Sequence, residues 1–171
     1  MLLNERKEGK KVNNHKYVTD LGIAAYLLMH QFKVIGKKGK AIYFECEESA
    51  EDQFNNLVFD YMPPSDFYLF DSCLMALKKI NPWPSPYQGE TSSLYDMGQA
   101  AYVLMKEYGD HPLNVRCVGK GQDRGLMFVV PEGKEQDFKA TSFAYLGSPF
   151  HTFDSCLMAL KKIGEYTPNG E

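Results

Sequence analysis

At 171 residues and 19.5 kDa, the chain has room for one or two domains but not three. A composition of 44% hydrophobic, 13% aromatic and 24% charged residues is that of a folded globular protein, which excludes a disordered tail or a collagen-like fibre. The formal net charge of -3 argues against a protein dedicated to polyanions, no apolar run approaches the roughly 20 residues of a membrane span, and the polar first residues lack the apolar core of a secretory signal.

The expected setting is therefore cytoplasmic, with no membrane partner. Charge is nonetheless unevenly spread. Residues 1–40 carry nine basic side chains against three acidic ones, whereas residues 41–70 hold seven carboxylates and no Lys or Arg. Residues 1–16, with Arg6, Lys7, Lys10, Lys11 and Lys16, read as a basic arm.

The first predicted helix starts at Asp20, placed as its cap, and sets Leu21, Ala24, Ala25, Leu28 and Phe32 on one face. Two strands then flank a turn between Gly36 and Gly39, and the alternation through residues 57–62, ahead of Pro63 and Pro64, predicts a third strand. A closing helix follows, with Phe70, Cys73, Leu74, Leu77 and Ile80 on one face.

This order then recurs. Phe-Asp-Ser-Cys-Leu-Met-Ala-Leu-Lys-Lys-Ile at 70–80 returns unchanged at 153–163, and Asp20, Gly22, Ala24, Ala25, Tyr26, Leu28 and Met29 match Asp96, Gly98, Ala100, Ala101, Tyr102, Leu104 and Met105. Ile35-Gly36-Lys37 matches Val118-Gly119-Lys120, Phe44 matches Phe128, and Tyr61 matches Tyr145. The expected organisation is thus an arm (1–16), a first repeat (17–80), a Pro/Ser linker with the only tryptophan (81–93), a second repeat (94–164) and a short tail (165–171). Each repeat reads as helix, three strands, helix: an α+β unit too small for a robust core alone, so the two are expected to pack as an intramolecular pseudo-dimer.

Inward residues match because both copies need a core, but outward ones match too. Gly22, Tyr26 and Met29 form a second stripe beside the core face of the first helix, repeated as Gly98, Tyr102 and Met105. On the closing helix Asp71, Met75, Lys78 and Lys79 recur as Asp154, Met158, Lys161 and Lys162. Such faces either pair the two copies, as an isologous interface requires, or dock a protein partner with Met as adaptable apolar contact and Lys as rim.

Catalytic and metal-binding patterns are missing from the sequence. Cys46, Cys73, Cys117 and Cys156 lie far apart without zinc spacing, His15, His30, His111 and His151 pair with no nucleophile, and the glycine-rich run 119–125 joins two strands, where a phosphate loop needs a following helix. A non-catalytic binding or regulatory module without cofactor or metal is expected, its partner a protein. The alternative is single-stranded or structured nucleic acid, met by the arm and by hairpin residues Lys33, Lys37, Lys38, Lys40 and Tyr43 in one copy and Arg116, Lys120 and Arg124 in the other.

The run Thr-Asp-Leu-Gly-Ile-Ala-Ala-Tyr-Leu-Leu-Met at 19–29, a hairpin ending in Tyr-Phe-Glu at 43–45 and a closing helix ending in Leu-Lys-Lys-Ile together resemble an uncharacterised family of small bacterial and phage-borne domains of unknown function. The resemblance covers both repeats, implies a prokaryotic, cytoplasmic setting and brings no catalytic residues. Helix, three strands, helix is also the order of double-stranded RNA-binding domains, but here the lysine cluster ends the last helix, where that family has it near the start.

Overall fold

A computed structural model describes residues 14–80 and 84–165. The basic side chains of Arg6, Lys7, Lys10 and Lys11, as well as Trp83 and the tail beyond Glu165, lie outside the described residues. The fold is α+β. Among the described residues it has six α-helices and two three-stranded antiparallel sheets. No helix among them is long and apolar enough to cross a membrane.

The first run of elements is β1 (His15–Val18), α1 (Leu21–Met29), β2 (Val34–Lys38), β3 (Ala41–Glu45) and α2 (Glu51–Tyr61), followed by the closing helix α3 (Asp66–Lys78). The second is β4 (Ser92–Leu94), α4 (Met97–Lys106), β5 (Arg116–Lys120), β6 (Leu126–Val129) and α5 (Glu135–Ala144), followed by α6 (Pro149–Leu160). In both sheets the last strand is central, with order β1-β3-β2 and β4-β6-β5. Both also carry a bulge at matched positions, between Val34 and Gly36 and between Cys117 and Gly119.

Each sheet has three strands, but not the three predicted. The segments 57–62 and 141–146 are not strands: the first lies mostly in α2, and the second spans the end of α5 and a 3-10 turn at Tyr145–Gly147. Helical spacing wins because Phe54, Leu57 and Tyr61 share one buried face while Phe59 is left 79% exposed. That buried face covers the sheet: Phe54 meets Phe44 edge-on at 6.0 Å and Phe32 at 5.3 Å, and Phe138 of α5 meets Phe128 at 5.5 Å. The missing strands are β1 and β4, which straddle the expected boundaries between arm and first repeat, at 16/17, and between linker and second repeat, at 93/94.

The helix starts follow the sequence closely. Asp20 accepts the N–H of Ile23 at 2.9 Å, and Asp96 accepts those of Gly98 and Gln99 at 2.7 and 3.2 Å. Asp96→Ala is expected to cost about 1–2 kcal/mol, read as a lowered midpoint in urea, with Asp96→Asn close to wild type. Gly39, at φ +61°, supplies the left-handed residue of the first hairpin turn.

The chain divides into two compact units that cut across the sequence repeats. Of the described residues, unit 1 takes those up to Met62 and those from Phe153 onward, and unit 2 takes Pro63–Thr152. Unit 2 thereby combines one sheet and its covering helices with α3, and unit 1 combines the other with α6 from Phe153 onward; the first turn of α6 stays in unit 2, where Phe150 packs on Tyr102 and Phe70. In unit 2, Phe70 of α3 stacks on Tyr145 at 5.9 Å with rings 21° apart. In unit 1, Phe153 of α6 stacks on Tyr61 at 6.0 Å with rings 24° apart. All four side chains are essentially inaccessible to solvent.

The segment after each closing helix also caps a sheet edge. Lys37 of β2 donates its N–H to the carbonyl of Gly164 at 3.0 Å, and Ser85 donates its N–H to the carbonyl of Lys120 in β5 at 2.8 Å. Each contact pairs a backbone group on an edge strand that would otherwise be open to strand addition.

Candidate nucleic-acid interface

The two faces of the first sheet have opposite chemistry, and the register says why. Ile42 and Phe44 of β3 point into the core, so strand alternation turns Ala41, Tyr43 and Glu45 to the outer face. Opposite them, β1 pairs Tyr17 with Tyr43 and His15 with Glu45, and β2 sets Gly36 against Tyr43 and Lys38 against Ala41. Three rings meet there: Tyr17 lies 5.3 Å and His15 5.7 Å from Tyr43, all tilted. Tyr17 is 59% exposed, an unusual position for a large ring in a three-ring cluster.

Lysines border this cluster. Lys33, Lys38 and Lys40 are exposed; Lys33 approaches Glu45 at 4.0 Å, a solvent-screened contact that leaves its charge accessible. Lys37 is half-buried in β2, where its backbone is held by Gly164. Lys16, grouped with the arm in the sequence, points the other way. Its ammonium contacts Asn55 at 3.0 Å and Glu51 at 3.2 Å and sits over the Phe54 ring, so it serves the packing of α2 on β1.

The second sheet has no counterpart of the ring cluster. Ser93 pairs with Met127 where Tyr17 pairs with Tyr43. Arg116 lies over the Tyr87 ring at 5.6 Å, Lys120 is half-buried, and Arg124 occupies the turn before β6 at φ 69°. In that turn Tyr95 donates to Asp123 at 2.5 Å, which holds the Asp123 carboxyl below its ordinary range and pushes the Tyr95 phenol above its own. The segment 121–125 is a closed turn joining β5 to β6, with Gly121 donating to Gly125 at 2.9 Å.

The Gly/Tyr/Met stripe faces inward within each unit. Gly22, Gly98, Tyr102 and Met105 are buried, and Tyr26 and Met29 are half-buried. Tyr102 packs on Tyr145 and Phe150, and Tyr26 on Tyr61 and His30. The outward positions of the closing helices do reach solvent. Met75 is 46% and Met158 51% exposed, Lys78, Lys79, Lys161 and Lys162 are exposed, and Asp71 and Asp154 are half-buried.

A groove of about 450 Å³ in unit 2, between α3, α4 and β5, brings Cys73 and Cys117 to one surface beside Arg116 and Glu107. Burial pushes the Cys73 thiol up to about 11 and raises Cys117 as well, so both are thiols, not thiolates, at neutral pH. Glu107 accepts the N–H groups of Val115 at 2.6 Å and Asn114 at 3.2 Å, which commits it to holding the chain ahead of β5. Among the described residues, no group of three or more His, Cys, Asp or Glu is placed to hold a metal ion.

No family model, curated protein or solved structure matches the chain.

The sequence pointed to Lys33, Lys37, Lys38, Lys40 and Tyr43, and the structure puts Lys38 and Tyr43 on the same outer face. It adds His15 and Tyr17, because β1 crosses the expected boundary between the arm, which ends at residue 16, and the first repeat, which begins at 17. The alternation His15, Tyr17 against Lys16, Val18 was the available signal, but four residues are too few for periodicity to decide.

Proposed function

We propose that the protein is a non-catalytic tandem-repeat binding module whose ligand is single-stranded nucleic acid, laid across the outer face of the first sheet. The observation that carries this reading is the His15, Tyr43, Tyr17 cluster, in which Tyr43 meets both other rings on a sheet face whose strands and turn also carry the exposed Lys33, Lys38 and Lys40. Unstacked bases gain about 1–3 kcal/mol each by stacking on aromatic side chains, whatever their identity, and nearby lysines hold the backbone phosphates. A base paired in a duplex keeps its faces stacked on its neighbours and cannot use such a platform. Single strands are therefore the preferred ligand.

In the same reading the two repeats are tandem copies of one unit, joined as an intramolecular pseudo-dimer by trading closing helices. The matched stacks of Phe70 on Tyr145 and Phe153 on Tyr61 support it. One copy has kept or acquired the ring platform, and the other carries Ser93 and Met127 in its place.

The test is fluorescence anisotropy with labelled mixed-sequence single strands and duplexes of DNA and RNA. Single strands are expected to bind more tightly than duplexes, with affinity falling as salt rises. Three lysine–phosphate contacts predict a log–log salt slope near -2, on about -0.7 per phosphate for single strands. Binding of duplexes alone, or none at low salt, overturns the reading.

A second reading has its own observation: Met75 and Met158 remain exposed beside Lys78, Lys79, Lys161 and Lys162, so each unit presents the same Met and Lys face. The partner that fits is a protein offering an apolar side chain flanked by carboxylates.

A further inference from the structure

The closing helices pose a problem of address. Eleven consecutive residues are identical at 70–80 and 153–163, yet each copy docks on the body encoded by the opposite half of the chain. In each case the leading Phe stacks on a buried Tyr at the end of the covering helix, Tyr145 or Tyr61. Leu77 and Leu160 are both about 1% exposed, so the helices bury the same side chains in their receiving grooves. The two helices differ only in their first turns, Asp66-Phe67-Tyr68-Leu69 against Pro149-Phe150-His151-Thr152; over the eleven shared residues nothing distinguishes one receiving groove from the other.

The connections leave the choice open as well. Between α2 and α3 run only Met62, Pro63, Pro64 and Ser65, with Met62 at ψ 157° and Ser65 at ψ 149°. Ahead of α6, Ser148 is extended in the same way, at ψ 159°. Pro63 and Pro64 in one link, and Pro149 opening the other closing helix, interrupt the helical chain between each covering helix and the helix that follows it.

We propose that a second copy of this chain is a partner for these same grooves, so that two chains trade α3 to form a closed, domain-swapped dimer. The dimer uses no new interface: Phe70 of each chain stacks on Tyr145 of the other, and the buried contacts of the single chain are all remade. Because the contacts are equal, the balance is set by concentration against the effective concentration of the tethered helix, which is on the order of millimolar for a short link. Dilute chains close on themselves. Concentrated chains refolded together close partly on each other, and the dimer then persists on dilution because separating it requires undocking a buried helix.

The experiment is refolding of the full chain from denaturant at about 1 μM and at about 1 mM, followed by size-exclusion chromatography with light scattering at one common low concentration. A dimer fraction is expected only from the concentrated sample, stable for hours after dilution, with the same unfolding midpoint as the monomer when both are read at that concentration. Two tagged forms should yield mixed dimers when refolded together and none when mixed as folded monomers. Monomer alone from both samples overturns the proposal, and so does a dimer that dissociates at once on dilution or mixes without unfolding, since either marks ordinary surface association. As a control on the surface, Met75→Asp with Met158→Asp should leave the dimer fraction unchanged; its loss would place the contact on the exposed helix faces and also overturn the proposal.

Discussion

Replacing Tyr43 with alanine is expected to weaken binding of a single-stranded oligonucleotide by about 10- to 100-fold while leaving the unfolding midpoint within a few degrees of wild type. Tyr43 touches both other rings, Tyr17 at 5.3 Å and His15 at 5.7 Å, so its loss removes one stacking surface and the contact that orients the other two. A stacked base is worth about 1–3 kcal/mol, which is the basis of that range. Stability should change little because the ring lies on the outer face, whereas Ile42 and Phe44 on the same strand form the core. Tyr43→Phe should bind nearly as well as wild type, since stacking needs the ring and not the hydroxyl. Met127→Ala, at the paired position of the second sheet, should have no effect on affinity. If anisotropy gives Tyr43→Ala and wild type equal affinities, the platform is not the binding surface.

The largest stability effect is expected at the exchanged phenylalanines. Phe153 and Phe70 are fully buried, and truncation of such a ring costs about 3–5 kcal/mol. The location of the damage is more informative than its size. Phe153→Ala removes the partner of Tyr61, so hydrogen–deuterium exchange should rise in Leu21–Met29 and Glu51–Tyr61, more than 90 residues away in sequence, ahead of Met97–Lys106 and Glu135–Ala144. Phe70→Ala removes the partner of Tyr145, and faster exchange should appear in Met97–Lys106 and Glu135–Ala144. Were each closing helix docked on its own repeat, the two variants would show the reverse pattern. Peptide-level exchange by mass spectrometry distinguishes the outcomes directly.

Much of the fold was legible where local chemistry decides. The Asp20 and Asp96 caps and the hairpins around Gly39 and 121–125 follow from side chains acting within a few residues of themselves. The buried face of α1 did not: Ala24 and Ala25 are buried as expected, but Leu27 is fully buried where Leu21 and Leu28 were expected and are only half-buried, because the Gly22, Tyr26 and Met29 side is also packed. The segment around Phe59 misled for an equally local reason. Leu57, Phe59 and Tyr61 alternate like a strand, and only the demand for a helix to cover Phe44 selects Phe54, Leu57 and Tyr61 as the buried face and leaves Phe59 in solvent. The candidate site was half legible. Lys38 and Tyr43 announce themselves in a hairpin, but His15 and Tyr17 join them only through the pairing of β1 with β3, a contact between residues nearly 30 positions apart.

By itself the sequence determined the two repeats, the α+β class and the capped helices, because repetition, composition and short-range hydrogen bonding are properties of neighbours along the chain. Tertiary structure alone decided which body each closing helix completes. Residues 70–80 and 153–163 are identical, so nothing within them can encode different destinations; the choice belongs to the links and the differing first helical turns that precede them and to the Tyr145 and Tyr61 grooves that receive them. It also decided that Tyr102 and Met105 pack inward while Tyr17 and Tyr43 face out, since the side of a sheet or helix that meets water is fixed by what covers the other side.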